Sequence, residues 1–196
     1  LLERIVGILL RFRHFFIAVC ADIKAFYLQV KTAPADRDMH RFLWYKNGIP
    51  GNELVDLRMT VHMFGGTASG PCSMVARDRS IDDAAASGVI DIEQGERLKR
   101  DFYSDDLLKS FEDEKVARKE MDDAKKALAH GGFELTKVRT NYDGWDDAAN
   151  SEESVLGLTW VRHLDQIRIG SFGADQINVI DTKRKLLSRL MSAYDP

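Results

Sequence analysis

Asp105 and Asp106 stand between Phe102-Tyr103 and Leu107-Leu108, and no other stretch restricts the fold of this chain so tightly. Two short apolar pieces around Ser104-Asp105-Asp106 read as a tight β-hairpin with adjacent carboxylates at its tip. Carboxylates inside an apolar sheet cost desolvation unless something compensates, and a divalent cation is the usual compensation. The plainer alternative is a turn that uses Asp for local hydrogen bonding. Asp82-Asp83, Asp122-Asp123 and Asp146-Asp147 sit in polar surroundings and read as solvated surface. A second apolar run, Phe15 to Ala21, ends at Asp22, the pattern of a buried strand that delivers a carboxylate at its C-terminal end. Two neighbouring strands that bring carboxylates to one edge can hold two Mg²⁺ ions roughly 3.5–4 Å apart, a geometry suited to in-line displacement at phosphorus.

The remaining periodicity sketches the scaffold. Apolar residues at 2, 5, 6, 9 and 12 predict a helix over residues 1–13. Arg41 to Lys46 predicts a strand closed by Asn47-Gly48, a hairpin signal. Leu57 to Met63 predicts a third strand, leading into the small-residue loop Gly65 to Pro71, and Cys72 to about Ala86 turns helical. Arg97 to Tyr103 and Leu107 to Phe111 are the pieces flanking the acidic turn. Glu112 to His130 reads as a helix with acidic residues at its positive end and Gly131-Gly132 as its stop. Phe133 to Val138 predicts a strand, Val155 to Val161 with Ile167 to Ile169 a hairpin, and Asp181 to Tyr194 a last helix. Mixed strands, hairpins and helices imply an α+β fold, a largely antiparallel sheet backed by helices.

At 196 residues the chain can bury a proper core as one domain or one domain with an appendage. No stretch approaches the roughly 18 apolar residues of a membrane span, and there is no signal-peptide organisation. Both termini read as cuts in a longer chain. Cys20 and Cys72 lack Cys-x-x-Cys spacing and suggest small apolar side chains in a reducing, intracellular compartment. The net charge is −3, but residues 1–80 carry 11 Lys/Arg against 7 Asp/Glu and the rest carry 17 against 24. A basic front and an acidic back fit a protein that grips phosphate on one side.

Longer strings carry a resemblance. Asp22-Ile23-Lys24-Ala25-Phe26-Tyr27 resembles the first palm motif of reverse transcriptases, and Phe102-Tyr103-Ser104-Asp105-Asp106 resembles their Tyr-x-Asp-Asp hairpin. Leu9 to Arg13, Asp36-Arg37-Asp38 with Arg41 to Trp44, and Met59 to Gly65 are similar to the BEL/Pao branch of long-terminal-repeat retrotransposons. So are Gly131 to Lys137, Val155 to Trp160, and Thr182-Lys183-Arg184 with Tyr194-Asp195-Pro196. The resemblance covers essentially the whole chain, in the family's order.

It implies an RNA-directed DNA polymerase core that transfers deoxynucleotides onto a primer 3′-hydroxyl with two Mg²⁺ or Mn²⁺ ions. Asp22, Asp105 and Asp106 would be catalytic metal ligands. Tyr27 would be a steric gate against the 2′-hydroxyl, and Phe64 and Gly65 would lie against the nascent base pair, with Tyr103 also at the substrate. Lys137 would protonate the pyrophosphate leaving group. The implied layout is a palm over 1–170 with partial fingers (27–65) and a primer-grip hairpin (155–169), and the start of a thumb over 171–196. Partners would be an RNA or DNA template with primer, deoxynucleotides, and the rest of a Pol polyprotein with fingers, thumb, ribonuclease H and integrase. The setting would be a cytoplasmic virus-like particle.

Two departures stand out. Ser104 occupies a position that is usually apolar, and Gly70 displaces the Pro of a Ser-Pro pair to Pro71. A decayed or co-opted palm that binds nucleic acid or protein is the alternative, and intact Asp22, Tyr27, Asp105 and Asp106 argue against it. Gly131-Gly132-Phe133-Glu134 superficially resembles a nucleotide-cyclase hairpin, but there the acidic residues sit in the hairpin, whereas here Gly-Gly follows a helix and leads into an apolar strand.

Overall fold

Hydrophobic spacing and turn chemistry account for most of the element order. The computed structural model describes residues 4–142, 144–145 and 152–168. Helix α1 (Ile5–Phe12) leads into strand β1 (Ile17–Ile23), followed by two 3₁₀ turns, Phe26–Gln29 and Pro34–His40. A hairpin follows, β2 (Arg41–Tyr45) and β3 (Leu54–Arg58), then helices α2 (Ser69–Ala86) and α3 (Ile92–Arg100). Strands β4 (Phe102–Tyr103) and β5 (Asp106–Phe111), helix α4 (Glu114–His130) and strand β6 (Leu135–Thr140) come next. Strands β7 (Glu152–Val155), β8 (Leu158–Val161) and β9 (Gln166–Arg168) complete the order. The sheets are β4-β5-β1-β6, β2-β3 and β7-β8-β9. This is an α+β fold with antiparallel pairing in β2-β3, β4-β5, β7-β8 and β8-β9. Among the described residues no helix is long and apolar enough to cross a membrane.

The chain divides into two compact units. One holds Asp22–Arg100 and Lys119–Thr136; the other holds 4–21, Asp101–Arg118 and 137–168. In the first, Met74, Ile81 and Ala84 of α2 and Met121, Ala124 and Leu128 of α4 are buried along with Phe26 and Phe133, the one-sided burial that amphipathic helices require. In the second, Ile8 and Phe12 of α1 join Ala18, Leu108, Val155 and Trp160 in one cluster. Phe12 and Trp160 meet edge to face, with centroids 4.9 Å apart, a favoured aromatic geometry. Strand β1 lies between β5 and β6 and is buried at almost every position, which explains its unbroken apolar run.

Four expectations need correction. The third strand is Leu54–Arg58, not Leu57 to Met63; Val61 makes only an isolated bridge to Lys31. Asn47 and Gly48 do take φ of 61° and 73°, but the loop runs on until Lys46 N–H donates to Glu53 C=O, so the register starts three residues earlier. Arg97 to Arg100 is helical rather than a strand. Asp91 Oδ1 accepts the Gln94 N–H at 2.6 Å to start α3, and Arg97 pairs with Glu93 one turn back. Val155 to Val161 is itself a hairpin, because Leu156 and Gly157 take φ of 49° and 81°, a two-residue turn with both φ positive. Glu112 and Asp113 precede α4, and Asp113 Oδ1 caps it by accepting the Lys115 and Val116 N–H groups at 2.8 and 3.1 Å. The expected helix Asp181 to Tyr194 lies outside the described residues.

Gly131-Gly132 ends α4 for two separate reasons. Gly132 adopts φ 85°, the left-handed helix stop that glycine takes without strain. Gly131 is required for space: an added Cβ would lie 2.5 Å from Cβ and Oγ of Ser80. Ser80 cannot retreat, being buried while its Oγ donates to Ala127 C=O and accepts the Gly131 N–H, both at 2.8 Å. Gly131→Ala is therefore expected to lower the unfolding free energy by about 1–3 kcal/mol, read as an earlier urea midpoint at constant slope.

Candidate active site

The acidic hairpin is built as its flanking apolar residues demand. Phe102 pairs with Leu107 and Tyr103 with Asp106 across β4 and β5, leaving Ser104 and Asp105 as the two-residue turn. Ser104 takes φ 54°, the positive φ that tight hairpin turns need; a small polar residue bears it better than a β-branched one. Buried Phe102, Leu107 and Leu108 anchor the hairpin, while Tyr103, Asp105 and Asp106 remain half-buried. Behind it, buried Asp101 sits 3.4 Å from Arg11 Nε and 3.3 Å from Lys109 Nζ. Burial raises the Asp101 pKa, against the pull of both cations.

Asp22 lies on β1, half-buried, one residue before the strand ends, and belongs to the first unit. Its backbone carbonyl accepts the Thr136 hydroxyl at 3.1 Å. Beyond the strand, Lys24 N–H donates to Glu134 C=O at 2.9 Å, and Ala25 turns the chain at φ 51°. That turn buries Phe26 against Phe133 and leaves Tyr27 half-buried. Tyr27 meets Phe64 edge to face, with centroids 4.9 Å apart and planes at 80°, so the structure brings these two candidate substrate residues together. Phe64 is exposed, and Gly65 takes φ 86°. The loop closes where the buried Ser69 hydroxyl donates to Met63 C=O at 2.7 Å. Gly70 and Pro71 fall in the first turn of α2, where a proline has no helical N–H partner to lose.

Lys137 is exposed on β6 and takes φ 50°. A non-glycine residue held there within a strand stores backbone strain of order 1–3 kcal/mol, and such residues cluster at functional sites.

Strand β1 carries Cys20 into a charged interior. Its thiol pKa is pushed up to about 12, first by burial and then by Glu153 and Asp106, with Arg162 and Arg139 opposing. Arg139 Nε donates to Glu153 Oε1 at 3.2 Å, and fully buried Arg162 donates from Nη1 to Thr140 C=O at 3.0 Å. Neither arginine stands out in the sequence, since no spacing marks a charged residue that folding draws inward.

Among the described residues no group of three or more His, Cys, Asp or Glu side chains is arranged to hold a metal ion. The half-buried Asp105 and Asp106 of the β4-β5 hairpin offer hard carboxylate oxygens. They suit Mg²⁺ or Mn²⁺, which commonly take about one or two protein carboxylates and fill the remaining positions with substrate phosphate and water.

No family model and no curated protein matches the sequence. Among solved structures, the chain is similar to a foamy viral protease-reverse transcriptase determined in complex with an RNA/DNA hybrid. The TM-score is 0.60 at 16% identity, over 97% of this chain and 22% of that one. The fold is reverse-transcriptase-like. Spanning about a fifth of that neighbour's length, the chain shares with it an architecture rather than a close sequence. The β4-β5 hairpin and β1 are thus strands of an α+β fold shared with part of that neighbour.

Proposed function

We propose that this chain is the palm core of an RNA-directed DNA polymerase of the BEL/Pao retrotransposon type, acting within a Pol polyprotein in a cytoplasmic particle. The observation that carries the reading is the acidic hairpin: Asp105 in the turn and Asp106 paired with Tyr103, on a strand hydrogen-bonded to β1, in a reverse-transcriptase-like fold. Asp22, Asp105 and Asp106 would hold two Mg²⁺ or Mn²⁺ ions, which when bound supply charge stabilisation to the attacking and leaving oxygens. The substrates are deoxynucleotides on a primed RNA or DNA template, in keeping with the neighbour's RNA/DNA hybrid.

The chain's own residues divide the remaining work. Tyr27, buttressed by Phe64, closes the space a 2′-hydroxyl would need. Phe64 and Gly65 lie against the nascent base pair, where a residue without a side chain permits close backbone approach. Tyr103 contacts substrate beside the hairpin, and Lys137 gives its Nζ proton to the leaving pyrophosphate.

Single-nucleotide extension of a primed RNA template tests the reading. The wild-type chain adds the deoxynucleotide and refuses the matching ribonucleotide. Tyr27→Ala is expected to lower that preference, as a ratio of kcat/KM values, by about ten- to a hundredfold. A wild-type chain that extends with neither nucleotide, in Mg²⁺ or Mn²⁺, counts against the polymerase reading.

A further inference from the structure

Strand β2 presents an open edge that the proposed chemistry does not use. The β2-β3 pair forms a sheet of its own, and among the described residues no strand pairs with the outer side of β2. The direction of its backbone groups follows from the bonds at its two ends. Met59 N–H donates to His40 C=O at 3.0 Å, and Lys46 N–H donates to Glu53 C=O at 2.9 Å. Bonded pairs alternate with unbonded ones in an antiparallel ladder. Phe42 and Trp44 therefore face Leu57 and Val55, while Arg41, Leu43 and Tyr45 turn their N–H and C=O groups outward. The side chains along this edge are open as well: Leu43 is 65% exposed and Trp44 50%. Natural edges are commonly blunted by lysine, proline or a bulge. Residues 42–45 carry no proline and no charge, and the register runs without a bulge from Arg41↔Arg58 to Tyr45↔Leu54.

The edge is complementary to itself. Antiparallel pairing with a second β2 about Leu43 sets Leu43 opposite Leu43, and Arg41 opposite Tyr45 on either side of the axis. All of these residues face outward, so each pair can exchange both backbone bonds. Phe42 then stands opposite Trp44 twice, a favourable kind of cross-strand pair. No charge meets its like, and the cations at the strand ends are neutralised within the chain, Arg41 by Asp56 at 2.9 Å and Lys46 by Glu53 at 3.1 Å. Strand β3 offers no equivalent edge. Pairing about Asp56 would oppose two carboxylates, and the continuation of β3 is already occupied. There Thr32 N–H donates to Thr60 C=O and His62 N–H to Val30 C=O, both at 2.9 Å. A two-stranded hairpin is marginal by itself, whereas more strands sharing an apolar face are stable. Pairing of two β2 strands brings Phe42, Trp44, Val55 and Leu57 of both copies onto one face.

We propose that β2 is a self-association edge, on which a second copy of this chain adds its own β2 antiparallel about Leu43. Such association is independent of the polymerase reading. About six backbone bonds over a small area make a weak dimer, with a Kd on the order of 10–100 µM.

Sedimentation velocity of the full chain over about 1–300 µM tests it, with circular dichroism to establish folding. Wild type is compared with Leu43→Lys, Leu43→Glu and an equimolar mixture of the two. Leu43 is exposed in the single chain, so neither substitution disturbs a packed core. Wild type is expected to pass from monomer to dimer across the range. Each charged variant alone should stay monomeric, because the two-fold axis sets like charges directly opposite, and the mixture should dimerise again. Wild type that remains monomeric at about 300 µM overturns the proposal and leaves the edge to a strand of another protein. Charged variants that dimerise as wild type does, or a mixture that stays monomeric, overturn it too. If a charged variant does not fold, Leu43→Cys decides. The pair at that position brings Cα atoms to about 5.5 Å, within disulfide reach, so mild oxidation should link two chains through residue 43. Links found only through Cys20 or Cys72 overturn the proposal.

Discussion

With Asp105 and Asp106 both changed to Asn, primer extension is expected to fall by on the order of a thousandfold or more while the fold is kept. The carboxamide has the carboxylate's shape but carries no charge and only one acceptor oxygen, so it makes a poor ligand for a hard divalent cation. Charge stabilisation by bound metal supplies several kcal/mol in the transition state, and each 1.36 kcal/mol is about a factor of ten in rate. The hairpin does not need the charges to form. It is anchored by buried Phe102, Leu107 and Leu108 and by the Phe102↔Leu107 and Tyr103↔Asp106 pairs. Asn also suits tight turns as well as Asp does. The unfolding free energy of the double variant should therefore change far less than the activity, by about 1 kcal/mol or less. Extension that survives the double substitution would sink the proposed metal ligands. Extension and stability lost together would mean that the carboxylates hold the hairpin instead.

Features written in local chemistry were legible in the sequence; those settled by distant contacts were not. Phe102-Tyr103-Ser104-Asp105-Asp106-Leu107-Leu108 can hardly be anything but a short hairpin, and β4-β5 is one. The helix Glu112 to His130 was readable to within two residues, because its apolar face and glycine stop are both local signals. The stretch Leu54-Val55-Asp56-Leu57-Arg58-Met59-Thr60-Val61 is different: its alternation continues past the strand's true end. The register depends on where the loop 46–53 closes, and a hydrophobic pattern cannot see that. Arg97 to Arg100 misled because their neighbours Phe102-Tyr103 are strand-like, whereas the cap at Asp91 and the Glu93-Arg97 pair commit them to helix.

The candidate site divides along the same line. Asp22, Tyr27, Asp105, Asp106 and Lys137 could be named from motif strings, and Tyr27 with Phe64 is an aromatic pair that the fold assembles from residues 37 positions apart. Buried Arg162 and the pair of Arg13 with Asp165 could not be foreseen, since they rest on contacts such as that between Arg13 and Asp165, 152 residues apart. A buried arginine looks like any other arginine until its partners are known.

The charged interior around Cys20 leads to the second large effect, on thiol reactivity. Only the thiolate is nucleophilic. Cys20, with its pKa pushed up to about 12 by burial and by Glu153 and Asp106, has roughly one thiolate in ten thousand molecules at about pH 8. An unfolded cysteine, with a pKa of about 8.5, has roughly one in four. Native Cys20 should thus react with iodoacetamide about three orders of magnitude more slowly than the same residue in urea. Cys72, exposed in the first turn of α2, provides the accessible thiol for comparison. Mass spectrometry of the native chain should find one alkylated cysteine, Cys72, and two after denaturation. The same shift fixes a sign for stability. Folding holds the Cys20 proton more tightly than the unfolded chain does, so its contribution is fully present below about pH 8.5 and is lost as the pH rises toward 12. Cys20→Ser, which removes the ionisation, should flatten that alkaline decline. Neutralising Glu153 or Asp106 should speed native alkylation of Cys20, because each is an anion that holds the thiol protonated. Alkylation of native Cys20 at the unfolded rate would mean that neither burial nor the anionic field is present in solution.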